Sequence, residues 1–403
     1  MADPQHRVPP WRLALSLHTI LIQAVWFGVR LMVSYRAIES GADTAFIAVL
    51  AASLAAPALL AALPIGRLSD RFGGAILTCV GTLIMIASTV VLVVVPDLPV
   101  LLVASATLGL GNLGVVVGQQ TFVAHRTRGS ASDSGFGTLT AAASLGQLIG
   151  PPLVALTASA TVFGAVPGGL NTTAGLIVAI ASGVLSLPCC LLLLRSDRED
   201  SATADRSIKP TSPGALLATP GLWRSLVVSG LILVTMDLVY AFVPVWATEK
   251  NVDVVVVGWL LALRALVSVV SRFGLTRLVR TFGRKPLLLM AMGIGLVSLV
   301  ALPFANEWAA IGVMIGLGIC LGLPQPLTMA WVINLTRRRD HGAALGLRMT
   351  ANRFAQVTVP VVVGVAATPL GVAGIFWANA ALLLFSSVLV LYSDPDAELH
   401  LEA

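Results

Sequence analysis

Five charged side chains fall inside long apolar stretches of this chain: Arg30, Asp237, Arg264, Arg348 and Arg353. A charge at the centre of a bilayer costs at least ~2.5–3.5 kcal/mol, so each must be compensated or must reach an interface. The guanidinium of arginine is a planar fork of N–H donors that matches a carboxylate or phosphate in two hydrogen bonds. Asp237 is the one carboxylate within such a stretch, and a membrane-embedded acid can take up and release a proton. These residue types suit the holding of a small anion and the exchange of a proton.

Depth sorts the five. At about 1.5 Å per helical residue, Arg264 and Arg353 lie about 15 Å from the nearer end of their stretches, close to the midplane. Arg30 and Arg348 lie nearer an end, where a long side chain can snorkel to water. Asp237 and Arg264 stand at similar depth on consecutive stretches, and a structural ion pair between them is an alternative to a ligand site. Even then no second carboxylate within the spans remains for Arg353, and an uncompensated buried charge is costly. An anionic ligand would compensate it. Polar uncharged groups that could complete such a site are Asn112, Gln119 and Gln325, with Gln23, Gln147, Asn352 and Gln356 as further members. Gln147 and Gln356 match each other in an internal repeat, which favours packing for both. His18 can titrate near neutral pH, although a single histidine near the end of a stretch is more often structural.

The elements that carry these groups are set by composition. Hydrophobic residues make up 57% of the chain and charged residues 11%, with a mean hydropathy of +0.92; soluble domains are far more polar. Stretches long enough to cross a ~30 Å hydrocarbon core as helix recur about twelve times. They lie near 13–35, 44–65, 74–95, 99–122, 136–160, 173–194, 222–247, 254–274, 286–304, 308–332, 343–366 and 371–392. Met1–Pro10 is short and polar with no cleavage site after the first span, so an uncleaved first helix is expected. Cys79, Cys189, Cys190 and Cys320 all fall in apolar spans, which suggests neither a disulfide framework nor a metal site. The net charge of +6 reports topology rather than a nucleic-acid partner. Most lysines and arginines fall in alternate connections, on the side of both termini, against Arg36 and Lys250 on the other. The positive-inside rule then predicts a multi-pass plasma-membrane protein with both termini cytoplasmic.

The chain also repeats itself. At an offset of 210, Glu39 matches Glu249, Arg67 matches Arg277, and Phe72-Gly73 matches Phe282-Gly283; at 209, Gln147 matches Gln356 and Pro151 matches Pro360. Two homologous halves in the same orientation are implied: an N-terminal six-helix bundle over 1–194, a linker over 195–220, a C-terminal six-helix bundle over 221–393 and a short acidic tail over 394–403, to which no role is assigned. Phe27, Leu54 and Ser144 stand opposite Asp237, Arg264 and Arg353 in the repeat. The deep charges therefore belong to the second half alone.

Between spans two and three, residues 66–74 read Gly-Arg-Leu-Ser-Asp-Arg-Phe-Gly-Gly. This Gly-x-x-x-Asp-Arg-x-Gly pattern resembles the signature of bacterial-type transporters of the major facilitator superfamily. It reads as a loop of about eight residues in which Gly66 and Gly73 supply backbone freedom. The resemblance implies an all-α membrane fold of twelve transmembrane helices in two parallel-repeat bundles, with transport by alternating access. It also implies a conformational latch made by Gly66, Asp70, Arg71 and Gly73, with Arg277 and Gly283 in the second copy. Asp70 would face a helix N-terminus and nearby arginines in one state and release them in the other. A helix N-terminus attracts a carboxylate by ~0.3–1 kcal/mol; the plainer alternative is that Asp70 balances Arg67 and Arg71. In the second copy Arg280 stands in its place.

Other motifs fit less closely. Gly146-Gln147-Leu148-Ile149-Gly150-Pro151 is similar to the Gly-Pro element of drug exporters but lacks its following glycines, and Ser105 stands where many exporters carry arginine. Gly109, Gly111, Gly114 and Gly118 recur down one span at a spacing that permits close helix packing. No nucleotide-binding loop, catalytic constellation or metal-ligand set is visible, so an enzyme, a cofactor and ATP drive are not expected. The expected function is secondary transport of a small organic anion, bound by Arg353, Arg264, Asn112, Gln119, Gln325 and Arg30. A proton gradient would supply the energy through Asp237, with competition between Asp237 and the substrate for Arg264. An exporter of amphipathic compounds with the same fold is the alternative, and a non-transporting receptor a remote one. Expected partners are the lipid bilayer and the substrate; the protein is expected to act as a monomer.

Overall fold

The computed structural model describes residues 10–95, 97–126, 130–159, 170–199, 219–273, 275–336, 341–367 and 370–396. The first six helices are α1 (Pro10–Glu39), α2 (Thr44–Phe72), α3 (Gly74–Val94), α4 (Leu98–Arg126), α5 (Ser130–Ser159) and α6 (Thr172–Glu199). After them come α7 (Leu222–Glu249), α8 (Val254–Val270), α9 (Leu275–Phe282), α10 (Arg284–Ala301), a 3-10 turn (Leu302–Phe304), α11 (Glu307–Gly322), α12 (Pro324–Asn334), α13 (His341–Ala367) and α14 (Gly371–Leu391). Ten helical stretches among these residues are long and apolar enough to cross a membrane, counting α11 and α12 as one. Of the other two expected spans, α8 has 17 residues, and α13 carries Arg348, Asn352, Arg353 and Gln356 along its 27.

Four hydroxyl groups of α3 are satisfied locally. Thr78, Thr82, Ser88 and Thr89 in α3 each donate to the carbonyl four residues earlier at 2.8 Å, so they add no unmet donor to an apolar segment. Large apolar side chains such as Leu60, Val103 and Leu185 point outward, as a lipid environment permits.

The chain divides into two compact units. One comprises Met1–Arg36 with Leu60–Arg206, the other Ala37–Leu59 with Ser207–Ala403. The N-terminal part of α2 thus clusters with the second unit, and α6 runs to Glu199, into the stretch expected to be linker.

In the first unit, glycines let backbones touch. A Cβ at Gly118 would stand 2.6 Å from the carbonyl oxygen of Gly74 and from Thr78 Oγ1, and one at Gly111 would stand 2.8 Å from the Gly81 carbonyl. The glycine series of α4 is therefore a packing seam against α3. Gly146 and Gly150 of α5 press the same way on Ile20, Gln23 and Ala24 of α1. In the second unit α13 packs on α7, α11 on α8, and α10 on α14.

The expected eight-residue loop at 66–74 is instead helix up to Phe72, with the turn made by Gly73 at φ 94°. Arg67 to Phe72 are compatible with helix, and a single left-handed glycine reverses the chain without a longer loop. The second copy does the same: α9 ends at Phe282 and Gly283 takes φ 80°. Gly66 lies within α2 and has no left-handed role.

The described start of the acidic tail is docked through Asp396. Asp396 accepts the backbone N–H of Arg284 through both carboxylate oxygens, at 2.9 and 3.1 Å, and that of Lys285 at 3.3 Å. Its carboxylate also lies 3.7 Å from the Arg284 guanidinium. Lys285 Nζ donates to the Leu391 carbonyl at 2.7 Å, and Arg224 donates to the Tyr392 carbonyl. A carboxylate at the first turn of α10 offsets the positive end of its dipole.

Candidate functional site

The second unit gathers its deep charges through three helices. α7 supplies Asp237 and, three residues later on the same face, Tyr240; α8 supplies Arg264; α13 supplies Asn352, Arg353 and Gln356. Spacing of three or four residues puts side chains on one helix face, which is how Arg353 and Gln356 meet.

Gln356 is the bridge. Its Nε2 donates to Asp237 Oδ2 at 2.7 Å, while its Oε1 accepts from Arg353 Nη1 at 3.1 Å. One amide thus joins a guanidinium to a carboxylate and uses both of its ends in doing so. Asp237, Asn352 and Gln356 are buried, and Arg353 is half-buried. Beside Gly230, the Oδ1 of Asn352 has no hydrogen-bond partner among the described residues.

Arg264 takes its partner from α7, three residues along from Asp237. Its Nη2 donates to the Tyr240 hydroxyl at 3.1 Å, and its guanidinium carbon stands 5.1 Å from the centre of the Tyr240 ring. Arg264 is 1% exposed, and its Nε is buried without a hydrogen-bond partner. A cationic fork with one donor unused, held by an aromatic hydroxyl and ring, is suited to receive an acceptor oxygen.

The remaining candidates are distributed elsewhere. Arg30 in α1 is buried with its guanidinium 5.5 Å from the Trp26 ring, and Asn112 in α4 is 7% exposed. Gln119 donates to His18 Nδ1 at 2.9 Å, and His18 Nε2 lies 3.0 Å from Thr82 Oγ1. Because Thr82 gives its own proton to the Thr78 carbonyl, Nε2 of His18 is the donor in that contact and Nδ1 the acceptor. Gln119 is thereby engaged inside the first unit, between α1, α3 and α4. Gln325, at the start of α12, accepts from Arg272 through Oε1 at 3.1 Å and from Arg348 through its backbone carbonyl at 3.4 Å.

For the latch, the side chain of Asp70 lies outside the described residues. Arg71 stacks on Phe72 at 5.2 Å, and Arg277 is exposed. Gly283 faces Asp396, 3.1 Å from where its Cβ would be. Among the described residues no group of three or more His, Cys, Asp and Glu could hold a metal ion. Of the cluster, Gln356 was named as a further member of the site but favoured as a packing residue, and Tyr240 was left outside it. The available signal was spacing: each stands three residues from a deep charge on its own helix.

The fold has solved relatives. The nucleoside transporter NupG superposes with a TM-score of 0.72 at 13% identity, over 95% of this chain and 98% of that one. A peptide transporter, POT, in complex with sulfate gives 0.74 at 14% identity, over 97% and 95%. A bacterial homolog of the human lysosomal transporter Spinster, inward-facing and unoccupied, gives 0.70 at 13%, over 96% of each. No curated protein matches the sequence. The family model described as Major Facilitator Superfamily matches residues 15–306 and 226–403. Together with the helical spans, these matches make the chain a multi-pass membrane protein and a secondary transporter of small molecules, a member of the major facilitator superfamily.

Proposed function

We propose that the protein moves a small organic anion by alternating access, coupled to protons through Asp237. The observation that carries this reading is the Gln356 bridge between Arg353 and Asp237. Gln356 N–H can donate to an ionised carboxylate oxygen; once that oxygen is protonated it becomes a poorer acceptor, and the amide is released to turn. Arg353 then loses its hold on Gln356 Oε1 and presents its fork to an anion. Proton uptake and anion binding are thus linked through one amide, in place of direct competition for Arg264. Arg264 on Tyr240 supplies a second cationic donor.

The positive-inside distribution of charge supports cytoplasmic termini. Asp70 is retained as the latch on the strength of its motif, and Asp70→Arg is expected to abolish transport while leaving membrane insertion intact. The Gly-Pro element of α5 gives the drug-exporter reading little support, because contact with α1 already accounts for Gly146 and Gly150.

The test is transport by purified protein in liposomes, with anionic and cationic compounds offered under an imposed pH gradient. Anion uptake that follows the gradient, is lost in Arg353→Ala and becomes gradient-independent in Asp237→Asn is the expected result. Movement of cationic dyes but not anions, with Arg353→Ala as active as wild type, would sink the reading.

A further inference from the structure

At its N-terminal end, α8 diverges from α11. The two helices are tight further along: Ser268 Oγ donates to the Gly318 carbonyl at 2.9 Å and Arg272 Nε to the Gly322 carbonyl at 3.1 Å. A Cβ at Gly318 would stand 2.6 Å from Val267, and one at Gly322 would meet Ser271 and Ser268. Toward Val254 and Glu307 the same pair opens into a cavity of about 410 Å³, lined by Trp259, Leu260 and Leu263 from α8 and Glu307, Trp308 and Ile311 from α11. None of these groups belongs to the Asp237, Arg264 and Arg353 cluster.

The lining is chemically unusual for a membrane-facing surface. Leu260 is buried and Leu263 half-buried, while two indoles of the lining stand exposed, Trp259 at 57% and Trp308 at 79%. Beside them stands the one ionisable group of the lining, the Glu307 carboxylate at the first residue of α11. Tryptophan rings favour the boundary between hydrocarbon and water, and their faces attract an ammonium group. A carboxylate next to them takes an ammonium N–H. Leu260, Leu263 and Ile311 add aliphatic surface to the same lining. Negative charge, aromatic faces and aliphatic surface together match an amphiphile with a cationic head and a hydrocarbon tail.

We propose that this cavity is a binding site for a bilayer phospholipid with a primary-amine headgroup: the ammonium rests on Glu307 between Trp259 and Trp308, and an acyl chain lies along Leu263 and Ile311. Tryptophans that act only as interface anchors hold no headgroup preference, and this separates the two roles. The site is independent of what the protein transports.

The experiment places the whole protein in mixed bilayers containing equal amounts of phosphatidylethanolamine and phosphatidylglycerol. Native mass spectrometry then counts the lipids retained on release. Wild type is expected to retain the ethanolamine lipid about tenfold over the glycerol lipid, Glu307→Asp to keep most of that preference, and Glu307→Gln to lose it. Trp308→Ala is expected to reduce it severalfold. Circular dichroism and gel filtration of each variant check that it is folded. Equal retention of the two lipids by wild type, or an undiminished preference in folded Glu307→Gln, overturns the proposal. So does displacement by an alkylammonium detergent without any enrichment of the ethanolamine lipid.

Discussion

Gln356→Leu is the sharpest perturbation of the proposed mechanism, because leucine fills similar space and removes both polar ends of the amide. In the native cluster Nε2 and Oε1 each bond a charged group, at 2.7 and 3.1 Å. A hydrogen bond to a charged partner is worth about 1.5–3 kcal/mol net. At about 1.4 kcal/mol per factor of ten, losing one such bond from the transport cycle predicts a roughly tenfold to hundredfold fall in gradient-driven uptake. The two bonds share one side chain, so their losses should not simply add. A double-mutant cycle makes this strict: if Gln356 acts by joining Arg353 to Asp237, the variant carrying both Gln356→Leu and Asp237→Asn should be no worse than the poorer single variant. Initial rates of anion uptake into liposomes, measured at several external pH values, supply the data. Wild-type rates and pH dependence in Gln356→Leu, or fully additive losses in the double variant, would refute the bridge.

Four further outcomes follow from the geometry. Tyr240→Phe keeps the ring beside Arg264 and deletes only the hydroxyl that accepts from Nη2; uptake assays should show a loss of about tenfold, since the bonded partner is charged. Gly118→Ala forces a Cβ to 2.6 Å from the Gly74 carbonyl and Thr78, an overpacking cost of about 1–3 kcal/mol, and should lower the melting temperature in detergent. Gly293→Ala, in α10 with nothing within 4 Å of the new atom, should raise it by the equivalent of up to ~1 kcal/mol of helix propensity; the opposite ranking would contradict the packing. Asp396→Asn removes the charge at the start of α10, worth ~0.3–1 kcal/mol. Hydrogen exchange at the Arg284 and Lys285 amides should accelerate severalfold.

Apolar length and the duplication were legible in the residues, since both follow from hydrophobic spacing that survives without knowledge of contacts. The glycine series of α4 was legible for the same reason: small residues at a helical period have few uses besides close approach. The charges at 237, 264 and 353 also stood out by cost alone. Their partners did not. Nothing in the order of residues says that Gln356 turns toward α7, because the rotation of α13 about its axis is set by packing along its whole length. The motif at 66–74 was misjudged as a loop because glycine at 66 suggested flexibility, whereas Gly73 alone makes the turn. Long-range capping by Asp396 was invisible, because a tail has no periodicity to align it with a turn more than a hundred residues earlier.

That tail alters how the two copies of the repeat should be regarded. Both copies of the motif turn at a glycine of positive φ, and in the second copy an acid from far along the chain, Asp396, caps the turn. Once Asp396 occupies the turn at 283–285, position 280 is relieved of supplying an acid, and an arginine there can be tolerated. In the first copy the corresponding position is Asp70. The asymmetry therefore need not reflect two mechanisms; it can record which copy found a substitute. In the laboratory the same contact sets a boundary: trimming the chain at Ser393 strips the turn of its acid.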